Sequence, residues 1–235
     1  MGQSRKLIVN ADDFGRSPGV NRGIIRAHEN GIVTSASVMV RWPAATEAAA
    51  YSRMHPSLSL GLHIDLHEWT YRDGNWRLLY QVVTLQDAKK VRHEVSRQIA
   101  EFRRLFGRDP THIDSHQHAH IREPVRSIAV EKAEELRVPL RQISSRVRYC
   151  GGFYGQSASG WPLPHLISVD ALLKLLNGLT PGMTELGCHP GEGNDFETMY
   201  QRERALETET LCDSLLRDRI DTLGIELCSF VDVTN

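Results

Sequence analysis

Seven short apolar runs, rich in β-branched residues, recur along the chain at Leu7 to Asn10, Ser35 to Val40, Leu58 to Leu66, His112 to Asp114, Pro139 to Ile143, Glu185 to Cys188 and Leu227 to Val231. None alternates apolar and polar residues for long, which is the pattern of strands in a sheet covered on both faces. Helical patterns fill the intervals, at Val20 to Glu29, Ala44 to Met54, Leu85 to Phe106, Pro124 to Leu136, Val169 to Leu176 and Tyr200 to Leu216. A repeated strand-then-helix order predicts an α/β fold with a parallel sheet. No GxGxxG follows the first strand, and this number of strands suits a closed or nearly closed TIM-like barrel better than a dinucleotide-binding sheet. A doubly wound sheet is the alternative.

At 235 residues the chain is long enough for one barrel-sized domain over residues 1–235, and no repeat or low-complexity tract marks a boundary. Gly31 and Gly107 follow helices as left-handed caps, Pro43 and Pro124 stand at helix starts, and Ser168 with Asp170 marks another. The least regular stretch, Arg146 to His165, carries Tyr149, Phe153, Tyr154 and Trp161 among glycines and prolines and reads as a binding loop.

The formal net charge of -1 gives no extended field for a polyanion, which argues against nucleic acid as a partner. The four cysteines are scattered without a CxxC pair, as in a reduced cytosolic protein. The opening MGQSRKLIVN has too short an apolar run for a signal peptide, and no later segment is long enough to span a membrane. A cytoplasmic location is expected, with a homo-oligomer compatible with all of this.

In an α/β barrel the site lies at the C-terminal ends of the strands. Here reactive residues fall just after strands: Asp12 and Asp13 in NADDFG, His63 in GLHIDL, Asp114 and His116 in HIDSHQHAH, and His189 in GCHPGE. One carboxylate and two imidazoles from separate strand ends can bind a divalent ion and leave positions open for water and substrate. Consecutive side chains of an extended strand point to opposite sides, so adjacent carboxylates suggest one ligand and one base. Taken singly, an Asp pair is often a helix cap, and a lone histidine usually packs or meets solvent, the reading given to His28, His55, His67, His93 and His165. Asp65 reads as a loop residue. Coincidence at successive strand ends favours a site. His116 is then one ligand, His118 and His120 supply substrate or loop contacts, and Asp114 supports a ligand.

The segments VNADDFGRSPGVNRGI, NGIVTSASVMV, PSLSLGLHIDL, FGRDPTHIDSHQHAH, GFYGQS, ELGCHPGE and GIELCSFVDV together resemble the YdjC family of carbohydrate deacetylases, over nearly the whole chain. The resemblance implies an irregularly closed (β/α) barrel and one metal ion, Mg²⁺ or Zn²⁺, on Asp13, His63 and His116. It further implies Asp12 as general base, His189 as acid or oxyanion partner, and an N-acetylated amino sugar or oligosaccharide as substrate. Arg141, Tyr154 and Trp161 are the expected sugar contacts by loop position. The histidine segment continues here as HQHAHIREP rather than into an aromatic-proline stretch, and the stretch between Leu66 and Leu85 is short and polar. The rival readings are a phosphoesterase, an Fe(II) oxygenase with the same ligand face, and a sugar-binding protein without turnover.

Overall fold

The structure, a computed structural model, describes residues 4–233. Met1 to Gln3, the first residues of the MGQSRKLIVN opening, lie outside the described residues. In chain order the elements are β1 (Arg5–Phe14), α1 (Pro18–Glu29), β2 (Ser35–Val38), α2 (Ala45–Met54), β3 (Ser59–Ile64), β4 (His67–Arg72), β5 (Asn75–Gln81) and α3 (Ala88–Phe106). Then come β6 (Ile113–Ser115), α4 (Val125–Leu136), β7 (Arg148–Cys150), α5 (Val169–Asn177), β8 (Gly182–Cys188), α6 (Gln201–Leu211), α7 (Ser214–Thr222) and β9 (Ile225–Cys228).

The main sheet runs β6-β3-β2-β1-β8-β7, with every pairing parallel. β1 is its axis: one edge carries β8, while the other is shared, β9 pairing with Arg5 to Ile8 and β2 with Asn10 to Phe14. Because the strands are parallel, their C-terminal ends come to one rim. The central strands β1, β2, β3, β6 and β8 are buried almost throughout, as expected of a sheet covered on both faces, while the edge strand β7 and the short β9 are partly exposed. Val91, Val95, Ile99 and Phe102, spaced at three and four residues on α3, bury one stripe against the sheet. Ser17 starts α1 by accepting from Val20 N, and Gly107, at φ 67°, ends α3 in the left-handed conformation expected of it.

The barrel is irregular and stays open between β6 and β7. The strand expected at Pro139 to Ile143 reduces to a single bridge between Ile113 and Leu140. Ile113 N donates to Pro139 O and Arg141 N to Ile113 O, after which Gln142, at φ 60°, turns the chain out of the sheet. Other expectations also change. The polar stretch after Leu66 is an antiparallel hairpin, β4 and β5, turned by Asp73 and Gly74 at φ 52° and 79°. The segment read as one helix from Tyr200 to Leu216 is two, because Asp213 caps a new start by accepting from Leu215 N. Gly31 is not a left-handed cap; Asn30 ends α1, and a Cβ on Gly31 would lie 2.4 Å from Leu211 O, so close packing is what requires glycine there.

Candidate active site and metal centre

Pairing of β1 with β2 holds to Ala11 and resumes at Phe14, so one extra residue sits in a bulge that contains Asp12 and Asp13. Asp13 lies at φ 72°, which overturns the opposite-sides expectation for an extended pair. Both carboxylates line one cavity of about 780 Å³.

His63, near the end of β3, directs Nε2 to within 3.2 Å of Asp13 Oδ1 and donates from Nδ1 to Asp114 Oδ1 at 2.7 Å. His116 directs Nδ1 to the same Asp13 oxygen at 3.1 Å. After β6 the chain enters a 3₁₀ turn, His116–Ile121, in which Gln117 and His118 take φ 48° and 52°. That turn breaks the strand parity and sends the three later histidines in different directions. His116 Nε2 is buried, lacks a hydrogen bond, and lies 4.0 Å from Glu68 Oε2.

These residues fit a divalent ion. Two ring nitrogens converge on one carboxylate oxygen, at the roughly 3 Å spacing of neighbouring ligands around an ion with bonds of about 2.1 Å. A second cluster, Asp12, His63 and Asp114, also gathers donor atoms, but the Arg141 guanidinium already sits between its two carboxylates as their cation. Asp13 has one oxygen taken by Arg204 Nη2, which leaves Oδ1 for a ligand role. Burial works to raise the Asp13 carboxyl, but Arg204 and His116 outweigh it and hold the group well below the usual carboxylate range.

Arg141 does not face the cavity. It is buried, donates from Nη1 and Nη2 to both oxygens of Asp12 at 2.6 and 2.7 Å, and from Nε to Glu185 at 2.7 Å. The sugar-contact expectation for it is thus corrected: it anchors the base candidate. Asp12 is pushed up by burial and pulled down further by Arg141, so its carboxyl sits below the usual value. Asn10 Nδ2 donates to Asp12 Oδ1 and to Ser37 Oγ, and Ser37 Oγ donates to Asp114 Oδ2, closing a ring of buried hydrogen bonds.

His189, just past β8, also approaches Asp12, with Nε2 3.8 Å from Asp12 Oδ2. Its backbone N–H donates to Glu207, and its ring packs edge-to-face with Tyr154 and Tyr200, with centroids 5.5 Å apart in each pair. Burial pushes the imidazole down to about 4. The loop carrying it presses on α1: a Cβ on Gly23 would lie 2.4 Å from Gly191 Cα, so glycine there admits the His189 loop.

A model described as YdjC-like protein matches residues 6–222. The chain belongs to the YdjC-like family. It is 30% identical to the chitooligosaccharide deacetylase of Serratia marcescens over 97% of this chain and 98% of that one. Identity is also 30% to a carbohydrate deacetylase of Geobacillus stearothermophilus, over 96% and 97% of the two. Among solved structures, an Enterococcus faecalis V583 protein, provisionally assigned to cellobiose-phosphate cleavage, is 26% identical with a TM-score of 0.80, covering 99% of this chain and 100% of that one. The family 4 carbohydrate esterase of Streptomyces lividans, 14% identical with a TM-score of 0.55 over 97% and 92%, shares the fold.

In this YdjC-like chain the remaining expected residues divide. His118 and Tyr154 line the cavity. His120 is buried and bonded to Ser115 and to Arg141 O, while Trp161 is 70% exposed and stands apart from the cavity wall, so neither occupies the expected sugar-contact position. Asp65 stays out of the metal cluster, taken by Arg41, Trp42 and Tyr80. His67 is buried, in keeping with the packing reading, and also lines the cavity. Sequence reasoning missed Glu68, Glu185, Arg204 and Glu207. Arg204 and Glu207 lie on α6, whose buried face is made largely of Glu203, Arg204, Glu207 and Thr208, so its polar sequence gives no apolar stripe to mark them. Among the described residues no helix is long and apolar enough to cross a membrane.

Proposed function

We propose that the chain is a metal-dependent deacetylase that hydrolyses the acetyl amide of an N-acetylated amino sugar or oligosaccharide. One observation carries this reading: Asp13, His63 and His116 converge on one point, with the Arg141-held carboxylate of Asp12 beside it in a large cavity. The relatives named chitooligosaccharide deacetylase and carbohydrate deacetylase support it over nearly the full chain.

Asp13, His63 and His116 would hold one divalent ion, Zn²⁺ or Mg²⁺. Such an ion, when bound, polarises a carbonyl and makes water a nucleophile near neutral pH. Asp114 fixes the His63 ring through Nδ1, and Glu68 faces the back of His116. Asp12, kept ionised by Arg141, accepts the proton of the attacking water as general base. His189 Nε2, 3.8 Å from Asp12 Oδ2, then receives that proton and passes it to the leaving amine. Burial holds the ring near 4, so it is neutral at rest and able to take up a proton, and its protonated form hands that proton on to the more basic amine. Tyr154 and His118 are the sugar contacts. We assign the protein to the cytoplasm on its four unpaired cysteines.

The test is acetate release from a panel of N-acetylated mono- and oligosaccharides by metal-stripped protein re-supplied with single divalent ions. Metal-dependent acetate that disappears in Asp12→Asn is the expected result. Metal binding with no acetate from any sugar, or phosphate release from sugar phosphates instead, would overturn it.

A further inference from the structure

We propose that one face of the β4–β5 hairpin is a platform for the sugar adjoining the one that is deacetylated, with Trp69 and Trp76 as its stacking surfaces. The reaction named here rests on the deacetylase reading above.

Trp69 pairs with Leu78 and Tyr71 with Trp76 across the ribbon. Cross-strand partners share a face, as do residues two apart, so Trp69, Tyr71, Trp76 and Leu78 make one apolar face. Trp69 is 39% and Trp76 45% exposed, and both line the cavity that contains Asp12, Asp13 and His63. Single exposed apolar side chains are ordinary, but a contiguous exposed face of them beside a cavity marks a place where a ligand binds. The covering chemistry is set by the surroundings. Gln86, Arg122 and Glu123 line the same cavity and offer donors and acceptors to hydroxyl groups, while the indoles suit the apolar C–H face of a pyranose. At about 780 Å³ the cavity lies in the upper part of the range for small-molecule sites, with room for more than one ring.

A lone two-stranded ribbon is marginally stable, yet this one is pinned to the reacting centre. Gln117 Oε1 accepts from Trp69 N at 2.9 Å, and Gln117 Nε2 donates to Trp69 O at 2.7 Å. Gln117 directly follows His116, so the platform is registered to the metal cluster by one side chain that binds both the N–H and the C=O of Trp69. Tyr71 N reaches Met199 Sδ at 3.2 Å and steadies the far part.

The test is calorimetric binding of N-acetylglucosamine and its β-1,4-linked trimer to Asp12→Asn protein, alone and with Trp69→Ala, Trp76→Ala or Trp161→Ala added. Loss of one stacking face should weaken trimer binding by about tenfold while the monomer changes by less than about twofold. Trp161→Ala should bind as the parent does, and Trp69→Phe should recover most of the trimer affinity. Unchanged trimer affinity in both platform variants, equal loss for monomer and trimer, or no trimer binding to the parent would overturn the proposal. Acetate release by the unmutated protein is measured in parallel. Trimer binding that depends on the two tryptophans, without any acetate, would remove the deacetylase reading and leave the platform standing.

Discussion

Arg141 grips Asp12 through both terminal nitrogens, at 2.6 and 2.7 Å, and the same guanidinium reaches Asp114 and Glu185. One buried cation therefore serves three buried carboxylates, one of which, Glu185, burial pushes up to about 7. Arg141→Ala would leave those charges without their cation, and a loss of about 3–5 kcal/mol in chemical unfolding is expected. Arg141→Lys keeps the charge but loses the paired grip. It should fold, and it should turn over about tenfold to a hundredfold more slowly, with KM moving less than kcat.

Asp12 and His63 should separate proton transfer from metal binding. Asp12→Asn is expected to lower kcat by about 10²–10⁴-fold while a metal titration still reads one ion per chain. His63→Ala should lose both, since it removes one of three ligand atoms and the partner of Asp114. An Asp12→Asn protein that no longer binds metal would mean that Asp12 is itself a ligand.

Chelation should lower thermal stability as well as activity. An ion that binds only the folded chain stabilises it by about 2.7 kcal/mol at a hundred times its Kd. Stripped protein should therefore melt lower in a calorimeter and recover with added metal. His63→Ala should show no such metal-dependent shift.

Gly61 in β3 faces the buried His112 ring, and a Cβ there would stand 2.3 Å from its Cε1. His112 is stacked on Phe230 with centroids 3.7 Å apart and bonded to Ser37, so it has nowhere to retreat. Gly61→Ala should cost about 1–3 kcal/mol by urea denaturation, and more if the Ser37–Asp114 ring opens.

Glu207 gives a pH signature. Burial raises its carboxyl from the usual 4.5 to about 8. A carboxyl raised by folding binds its proton more tightly in the folded chain. Its contribution is thus fully present below about pH 4.5 and is lost as pH rises through about 8. Glu207→Gln should flatten that part of the stability-against-pH curve, measured by denaturation at several pH values. An identical slope in the variant would show that Glu207 is not the titrating group.

The hairpin shows why some structure was hard to read in advance. Its Asp73-Gly74 turn is a strong local signal and Trp69, Tyr71, Trp76 and Leu78 alternate about it, but the two strands are short, largely exposed and crowded with polar residues, so the stretch resembles a polar loop. Pro139 to Ile143 shows the reverse: a good strand pattern that makes one bridge, because β6 offers it only a short edge before Gln142 turns away.

Side-chain pattern alone sets the alternation of buried strands and amphipathic helices, and it brings Asp12, Asp13, His63, His116 and His189 to the C-terminal ends of strands, the first three within the last residues of β1 and β3 and the other two just beyond β6 and β8. Both are local properties, set by side-chain pattern and by where a strand must stop. Tertiary structure alone decided the rest. A one-residue bulge turned Asp13 toward His63 and His116, the neighbours on β3 and past β6. Arg141, expected at the sugar, turned inward because three carboxylates from β1, β6 and β8 surround it. Arg204 and Glu68 entered the site from α6 and β4, elements whose own patterns name no destination. A charged side chain settles wherever packing leaves its counter-charge, and that depends on contacts between residues far apart in the chain.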